Sequence, residues 1–310
     1  MKRAILFLAL FLVGCAGPGQ QAKMSQEELL QQQKTVELKQ KIAQVQASLM
    51  QDPGNVSQLH ELAKLYLLAS DSDGCLKAVD QIKTLNKESS ETHHYRATAH
   101  KFKGEHKEAA KYWELALQLN PNFAKASYNY GNLLYEQNKL KEAKAQWKKT
   151  LEIDPNYHKA FYNLGVLLHA QGNLKEAKDY YEKTLKREPN HANAHLNLGL
   201  VHCRLDNLDE GVRYFERAVA KNAKNYLAHL NLGLGKAKQG DLQAAIQSLE
   251  KAKALHEKDP WIHYNLAIAY DSVGETKKAI KYLEKAIELN PDFEQAKSEH
   301  RSLVRSLKGS

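Results

Sequence analysis

Residues 158–191 read HKAFYNLGVLLHAQGNLKEAKDYYEKTLKREPNH, and this pattern recurs along most of the chain at a fixed step of 34 residues. Its landmark is a small residue at Gly131, Gly165, Gly199, Gly233 and Ala267, and the same step reaches back to Ala97 and Ala63. Self-similarity at a period of roughly 20–50 residues is typical of stacked repeats. Seven copies fit in register, at 56–89, 90–123, 124–157, 158–191, 192–225, 226–259 and 260–293.

Two further columns predict that each copy is a pair of helices. A second small residue follows the first after twelve positions, at Cys75, Ala109, Ala143, Ala177, Gly211, Ala245 and Ala279. A large apolar residue follows four positions later, at Val79, Trp113, Trp147, Tyr181, Phe215, Leu249 and Leu283. Small residues let two antiparallel helices cross closely, and the large residue fills the groove beside the crossing.

The remaining fixed positions predict where the helices end. Seven residues after the first small residue come Ser70, Gly104, Asn138, Gly172, Asp206, Gly240 and Gly274. Most of these are types that accept the left-handed conformation at the end of a helix. Proline closes the second helix of four copies, at Pro121, Pro155, Pro189 and Pro291. Each copy therefore reads helix, tight turn, helix.

This pattern resembles the tetratricopeptide repeat family over about three quarters of the chain. The resemblance implies an all-α, right-handed solenoid of seven helix-turn-helix repeats, with an N-terminal helix and a C-terminal capping helix. The first copy departs most from the family pattern, with Ser70 at the turn and Lys87 at the proline position. The fifth and sixth copies have Ala223 and Glu257 in place of the proline.

Composition agrees with a helical repeat protein. The chain has 310 residues, is 43% hydrophobic and carries a formal net charge of +9. A basic balance can indicate nucleic acid, membrane or acidic partners, but lysines on repeat helices are more often solvated faces. Three cysteines, at positions 15, 75 and 203, are too few for a disulfide framework.

Residues 1–14 have the features of a bacterial export signal. Lys2 and Arg3 precede the apolar run Ala4–Val13, which is too short to span a bilayer. Leu12-Val13-Gly14-Cys15 resembles a lipobox. That resemblance implies cleavage before Cys15, acylation of its thiol and amine, and anchoring in the outer membrane on the periplasmic side, because Ala16 rather than Asp follows the cysteine. An ordinary secretory signal with a coincidental cysteine is the alternative.

Two segments flank the repeats. After a short tether at 15–24, a Gln-rich helix is predicted at 25–52, opened by a capping box that begins at Ser25. Its second half carries an apolar stripe, Leu38, Ile42, Val45 and Leu49, which either packs on the first repeat or pairs with another helix in a coiled coil. Residues 294–310 are predicted to cap the last repeat through Ala296, Leu303 and Val304.

Two residues before the small position stands an asparagine ladder, Asn129, Asn163, Asn197, Asn231 and Asn265. It is similar to the ladder in the repeats of O-GlcNAc transferases, and the family places this column on the inner, concave wall. A carboxamide donates and accepts hydrogen bonds, so it can hold a peptide backbone without reading side chains. Local hydrogen bonds within the helices are the alternative. Other candidate peptide-binding residues are Tyr128, Tyr162, Asn132, Lys125 and Lys159.

No catalytic or cofactor site is indicated. The sequence has no Gly-rich phosphate loop and no nucleophile elbow, and the repeats leave no room for a catalytic domain. His195, His229 and His263 share one column but stand one repeat apart, too far to bind one metal ion. We therefore predict no enzyme activity, no metal, no cofactor and no nucleic-acid partner.

The sequence thus predicts a scaffold on the periplasmic face of the outer membrane that binds a protein or peptide partner. Its layout resembles the type IV pilus biogenesis lipoproteins, the pilotins that help a secretin assemble. An adaptor that docks peptidoglycan hydrolases or proteases is the first alternative. The repeat part of a peptide-modifying, glycosyltransferase-like enzyme is the second, and it is disfavoured because a catalytic domain is missing. The partner and the oligomeric state stay open.

Overall fold

The computed structural model describes residues 26–309, with side chains from 29 to 308. The predicted signal peptide, Cys15, the tether and the capping residue Ser25 lie outside these residues. The described part holds sixteen α-helices and no strand, which confirms the all-α class. None of these helices is both long enough and apolar enough to cross a membrane.

The helices follow the predicted alternation of helix and turn. Their bounds are α1 Gln26–Gln51, α2 Val56–Leu68, α3 Ser72–Thr84, α4 Ser90–Phe102, α5 His106–Leu119, α6 Ala124–Glu136, α7 Leu140–Ile153, α8 His158–Ala170, α9 Leu174–Arg187, α10 Ala192–Arg204, α11 Leu208–Lys221, α12 Tyr226–Lys238, α13 Leu242–Leu255, α14 Pro260–Ser272, α15 Thr276–Leu289 and α16 Glu294–Gly309. Each repeat contributes a first helix, from α2 to α14 in steps of two, and a second helix directly after it.

The chain divides into two compact units after Tyr112, within α5. In the first unit, Leu59, Val79 and Ile82 form the centre of a core. Ile42, Val45 and Leu49 of α1 pack against that core, so the apolar stripe covers the first repeat. Gln46 Nε2 donates to Tyr66 Oη over 2.8 Å and helps to hold α1 in place.

The second unit contains close helix crossings. A Cβ atom added to Gly165 would lie 2.7 Å from the Tyr181 ring, and one added to Gly199 would lie 2.6 Å from the Phe215 ring. Such distances leave no room for a methyl group, which is why the first column is small. The second column is equally closed, since Ala177 has no exposed surface.

The predicted turn column has left-handed backbone conformation throughout. Its φ angles lie between 58° and 83° at Ser70, Gly104, Asn138, Gly172, Asp206, Gly240 and Gly274. Gly172, for example, has a φ of 79°, which a residue with a Cβ adopts only with strain. Each of the four prolines lies two residues beyond the end of a second helix.

The C-terminal helix α16 closes the last repeat. Ala296 is fully buried, and Leu303 packs against the cluster that contains Leu283 and Phe293. The structure therefore confirms the predicted class of helix-turn-helix repeats with an N-terminal helix and a C-terminal cap.

Candidate functional site

The asparagine ladder lies on one surface of the second unit. Asn163 Nδ2 donates to Tyr128 Oη over 3.3 Å, and Asn197 Nδ2 donates to Tyr162 Oη over 3.2 Å. Each bond joins the first helices of two neighbouring repeats, so these helices present the ladder side by side. We call the surface made by the ladder and the first-helix residues beside it the ladder wall.

The ladder residues make two kinds of hydrogen bond. Whereas Asn163 and Asn197 bond across repeats, Asn231 Nδ2 donates to the Leu227 carbonyl and Asn265 Nδ2 to the Trp261 carbonyl, over 2.8 and 2.7 Å. These two bonds run back one turn of the same helix, as in the alternative considered from sequence. In all four residues the carboxamide oxygen stays available as an acceptor.

A cleft of about 250 Å³ opens in the ladder wall between the third and fourth repeats. Asn132 Oδ1 accepts two hydrogen bonds there, from Trp147 Nε1 at 3.0 Å and from Asn163 Nδ2 at 2.8 Å. The side chains of Tyr128, Tyr135, Glu136 and Val166 complete the lining. The Asn132 amide group and the Asn163 carbonyl have no other hydrogen-bond partner within the described residues. The cleft therefore offers a donor and an acceptor beside apolar surface.

This polar network was not apparent from the sequence, although a signal for it exists. The column of Asn132 continues as Val166, Leu200, Leu234 and Ile268, so a polar residue occurs there once in five repeats. Its neighbour Trp147 occupies the large-residue column, where the indole nitrogen needs a partner once it is buried. The coincidence of Asn132 with Trp147 could have indicated the bond.

The ladder wall changes character along the chain. Lys125 and Lys159 are exposed at one end, as the sequence predicts. The same column continues as Asn193, Leu227 and Trp261, and the last two are 42% and 51% exposed. Ile268 adds a further exposed apolar side chain, at 38%. Leu227 and Trp261 are not among the residues expected on the wall from the sequence, although the step of 34 residues places them in the column of Lys125 and Lys159.

The histidine column has a structural role. His195, His229 and His263 are buried, and each Nε2 lies 2.7–3.0 Å from the carbonyl oxygen six residues earlier, at Pro189, Ala223 or Glu257. The Nε2–H group donates in each case. These bonds tie the start of a first helix to the loop before it. Burial lowers the pKa of His195, which favours the neutral ring.

The described residues contain no group of three or more His, Cys, Asp or Glu side chains placed to hold a metal ion. Cys75 is buried in the small-residue column, and its burial raises the pKa of the thiol to about 12. Burial also raises the pKa of the half-buried Cys203, against the opposing effect of Lys238. Neither thiol is therefore activated as a nucleophile.

Family comparisons agree with the repeat pattern. A family model described as TPR repeat matches residues 131–172 and 236–274. Two models described as tetratricopeptide repeat match 158–191 and 260–293, and 90–123. The last three spans coincide with the fourth, seventh and second repeats read from the sequence. No relative among curated proteins matches the chain.

Solved structures show the same fold. YrrB, described as a TPR protein with an unusual peptide-binding site, is 28% identical, with a TM-score of 0.56 over 62% of this chain and 99% of its own. Pseudomonas aeruginosa pilF is 17% identical, with a TM-score of 0.62 over 69% of this chain and 97% of its own. A tetratricopeptide repeat protein from Parabacteroides merdae is 16% identical, with a TM-score of 0.54 over 80% and 98% of the two chains.

The fold is thus that of tetratricopeptide repeats, a class of scaffolds that bind other proteins. The candidate site is the ladder wall of the second unit, with the cleft at Asn132 and Asn163 as its most polar part.

Proposed function

We propose that the ladder wall binds an extended segment of a partner protein. The observation that carries this proposal is the cleft at Asn132 and Asn163, where an amide donor and a carbonyl acceptor face solvent beside an apolar lining. A peptide backbone offers the complementary N–H and C=O groups in each residue. In the tetratricopeptide family, the first helices form the surface on which peptides dock.

The charged and apolar residues of the ladder wall indicate which side chains the partner segment carries. Lys125 and Lys159 lie exposed beside the ladder asparagines of the third and fourth repeats and favour acidic side chains. Leu227, Trp261 and Ile268 favour apolar anchors at the other end. The partner segment therefore carries acidic residues towards one end and large apolar residues towards the other. The description of YrrB as having a peptide-binding site supports this class of ligand.

The test replaces the carboxamides while keeping the fold. Changing Asn163, Asn197 and Asn231 to Ala removes three hydrogen-bonding groups, each worth about 0.5–1.5 kcal/mol net, so binding of a partner recovered by pull-down should weaken about tenfold or more. Circular dichroism should show unchanged helix content. Binding at wild-type strength would mean that the ladder wall is not the docking surface.

A matched control variant distinguishes asparagines that bind the peptide directly from asparagines that only hold the ladder wall together. Tyr128→Phe with Tyr162→Phe removes the hydroxyls that accept from Asn163 and Asn197, but it leaves both carboxamides in place. If the carboxamides hold the peptide, this variant should bind more tightly than the triple Ala variant, because it loses only the two hydroxyls and the freed N–H groups can turn to the ligand. If both variants lose binding equally, the asparagines act only by supporting the wall.

The scaffold is anchored, in this proposal, to the periplasmic face of the outer membrane through lipid on Cys15. Support comes from the sequence alone, from the charged start, the short apolar run and Leu12-Val13-Gly14-Cys15. Two acyl chains or more give stable anchoring. Cys15→Ala should leave an unprocessed precursor or a soluble form in cell fractionation. Labelled palmitate on the Cys15→Ala protein would contradict lipidation.

The biological pathway stays a prediction. Secretin assembly for a type IV pilus and docking of peptidoglycan hydrolases or proteases both fit a periplasmic scaffold, and at 17% identity the likeness to pilF concerns the fold alone. Absence of enzyme activity also stays a prediction, in keeping with the scaffold role of the repeat class. Identification of the cross-linked partner by mass spectrometry separates these possibilities.

A further inference from the structure

A second cleft, of about 430 Å³, lies between the sixth and seventh repeats. Four ammonium groups line it, from Lys253 of α13 and from Lys278, Lys281 and Lys285 of α15. Glu257 is the single carboxylate in the lining. We call this the lysine cleft. It shares no residue with the ladder wall.

The lysine cleft departs from the charge pattern of the other repeats. The residue before the second small position is Glu in four of them, at Glu108, Glu142, Glu176 and Glu210, but it is Lys278 in the seventh. This reversal makes the local charge more positive by two units. Lys281 follows three residues later on the same helix, so both side chains point to the same side.

Lys253 is committed to an ion pair with Glu250, but the other three lysines are only weakly committed to other partners. Lys278 Nζ lies 3.3 Å from Glu275 and Lys285 Nζ lies 2.8 Å from Glu288, but both are exposed pairs within one helix. Exposed pairs of this kind contribute little and exchange readily with another anion. Lys281 makes no ion pair within the described residues. Three of the four cations are therefore available to a ligand.

The buried side of the lysine cleft is polar as well. Lys253 Nζ donates to Tyr282 Oη over 2.9 Å, and the rings of Tyr270 and Tyr282 stack with centroids 5.4 Å apart. His263 lines the cleft and is 3% exposed, and its Nδ1 has no hydrogen-bond partner within the described residues. A buried polar atom is normally paired, so this nitrogen calls for an explanation. The Nδ1 atom of His195, in the fifth repeat, is unpaired as well. The unpaired nitrogen is therefore not specific to the lysine cleft, and the four lysines distinguish it from the other repeats.

We propose that the lysine cleft binds a phosphate group. A phosphate carries up to two negative charges and several acceptor oxygens, and it suits point-like ammonium donors arranged around it. A P–OH group of free phosphate can in addition donate to the unpaired Nδ1 of His263, whereas the ionised diester of a phospholipid headgroup has no such proton. The group is either free phosphate or the headgroup of an anionic phospholipid. This role is additional to peptide binding and does not depend on it.

The experiment uses residues 16–310, which lack the predicted signal peptide and Cys15, so that neither the apolar run nor an attached lipid contributes to membrane binding. Inorganic phosphate is titrated by isothermal calorimetry, and vesicles of phosphatidylglycerol or of phosphatidylcholine are tested by sedimentation. The test variant combines Lys278→Glu, which introduces the residue found in four of the other repeats, with Lys281→Gln. The control variant combines Lys149→Gln with Lys183→Gln, the counterparts of Lys285 in the third and fourth repeats.

The wild type and the control should bind phosphate alike, and the test variant should bind it about tenfold or more weakly, because it loses two charged donors. Lys281→Gln alone should give a smaller loss, which guards against a folding defect in the double variant. Sedimentation of the wild type and the control, but not of the test variant, with phosphatidylglycerol identifies the headgroup as the source, whereas phosphate binding without such a difference in sedimentation identifies the free ion. Absence of phosphate binding, or equal binding by the test variant, overturns the proposal.

Discussion

Gly199 should not tolerate even a methyl group. A Cβ atom there would lie 2.6 Å from two ring carbons of Phe215 and 3.0 Å from the Gly211 carbonyl oxygen. Phe215 is 2% exposed, so its ring has no space to withdraw, and the backbone oxygen cannot move alone. In an open helix, Ala would be favoured over Gly by about 1 kcal/mol. If Gly199→Ala destabilises the protein, the close helix crossing outweighs the helix preference for Ala. If it stabilises the protein, the crossing leaves room for a methyl group.

The expected magnitude follows from two opposing terms. Overpacking costs about 1–3 kcal/mol, and contact with both a buried ring and a backbone oxygen favours the upper part of that range. Since the helix preference returns about 1 kcal/mol, Gly199→Ala should lower the free energy of unfolding by about 1–2 kcal/mol. Phe215→Leu should partly rescue it, because the seventh repeat combines Ala267 with Leu283. Phe215→Leu alone loses buried contacts and destabilises the protein. In a double-mutant cycle, the interaction energy between the two substitutions should therefore be about 0.5–3 kcal/mol.

The assay is urea unfolding followed by circular dichroism, with amide hydrogen exchange to locate the effect in the fifth repeat and its neighbours. At Gln247, an exposed position of α13, comparison of the Ala variant with the Gly variant measures the helix preference without a helix crossing. If Gly199→Ala is as stable as the wild type, or if the two changes are additive, Gly199 does not lie against Phe215 and the assumed crossing is wrong.

Three other outcomes are expected. Gly172→Ala should lower the urea midpoint, since its φ of 79° costs a residue with a Cβ about 1 kcal/mol, whereas Asn138→Gly, at a φ of 60°, should not. Cys75 should resist alkylation in the native protein and react once urea unfolds it. The pKa of the Cys75 thiol is about 12 in the folded protein, above the ordinary value of 9.0. The thiol therefore contributes to stability below pH 9, and this contribution is lost as the pH rises towards 12. In the Cys75→Ala variant this pH-dependent loss should be absent. Arg96→Ala should cost about 1–3 kcal/mol by thermal or urea unfolding, because the 6%-exposed guanidinium pairs with Asp80 and donates to the Val79 carbonyl.

The repeat fold could be predicted almost completely from the sequence. The step of 34 residues fixed the order of helices and turns, and the small and large columns identified partners such as Gly165 and Tyr181. These features repeat because every crossing obeys the same packing geometry, so seven imperfect copies reinforce one another.

The hydrogen bonds of the ladder could not be predicted in the same way. Asn163 reaches Tyr128 of the previous repeat, whereas Asn231 bonds within its own helix, although both occupy the same column. The difference depends on the neighbouring column, which has Tyr128 and Tyr162 but then Leu196 and Leu230. A Leu offers no acceptor, so the later carboxamides turn to the backbone. The lysine cleft likewise depends on spatial neighbours that the repeat pattern alone does not indicate.

The most direct test of peptide docking on the ladder wall is site-specific photo-cross-linking in cells. A photoreactive residue at position 159 or 166 lies on the wall, and one at position 149 or 183 lies on the second helices as a control. We expect cross-links to a partner from 159 and 166 only, and we expect Asn163→Ala with Asn197→Ala and Asn231→Ala to abolish them. Equal cross-linking from 149 and 183, or cross-links from the wall that persist in the triple variant, would contradict the account.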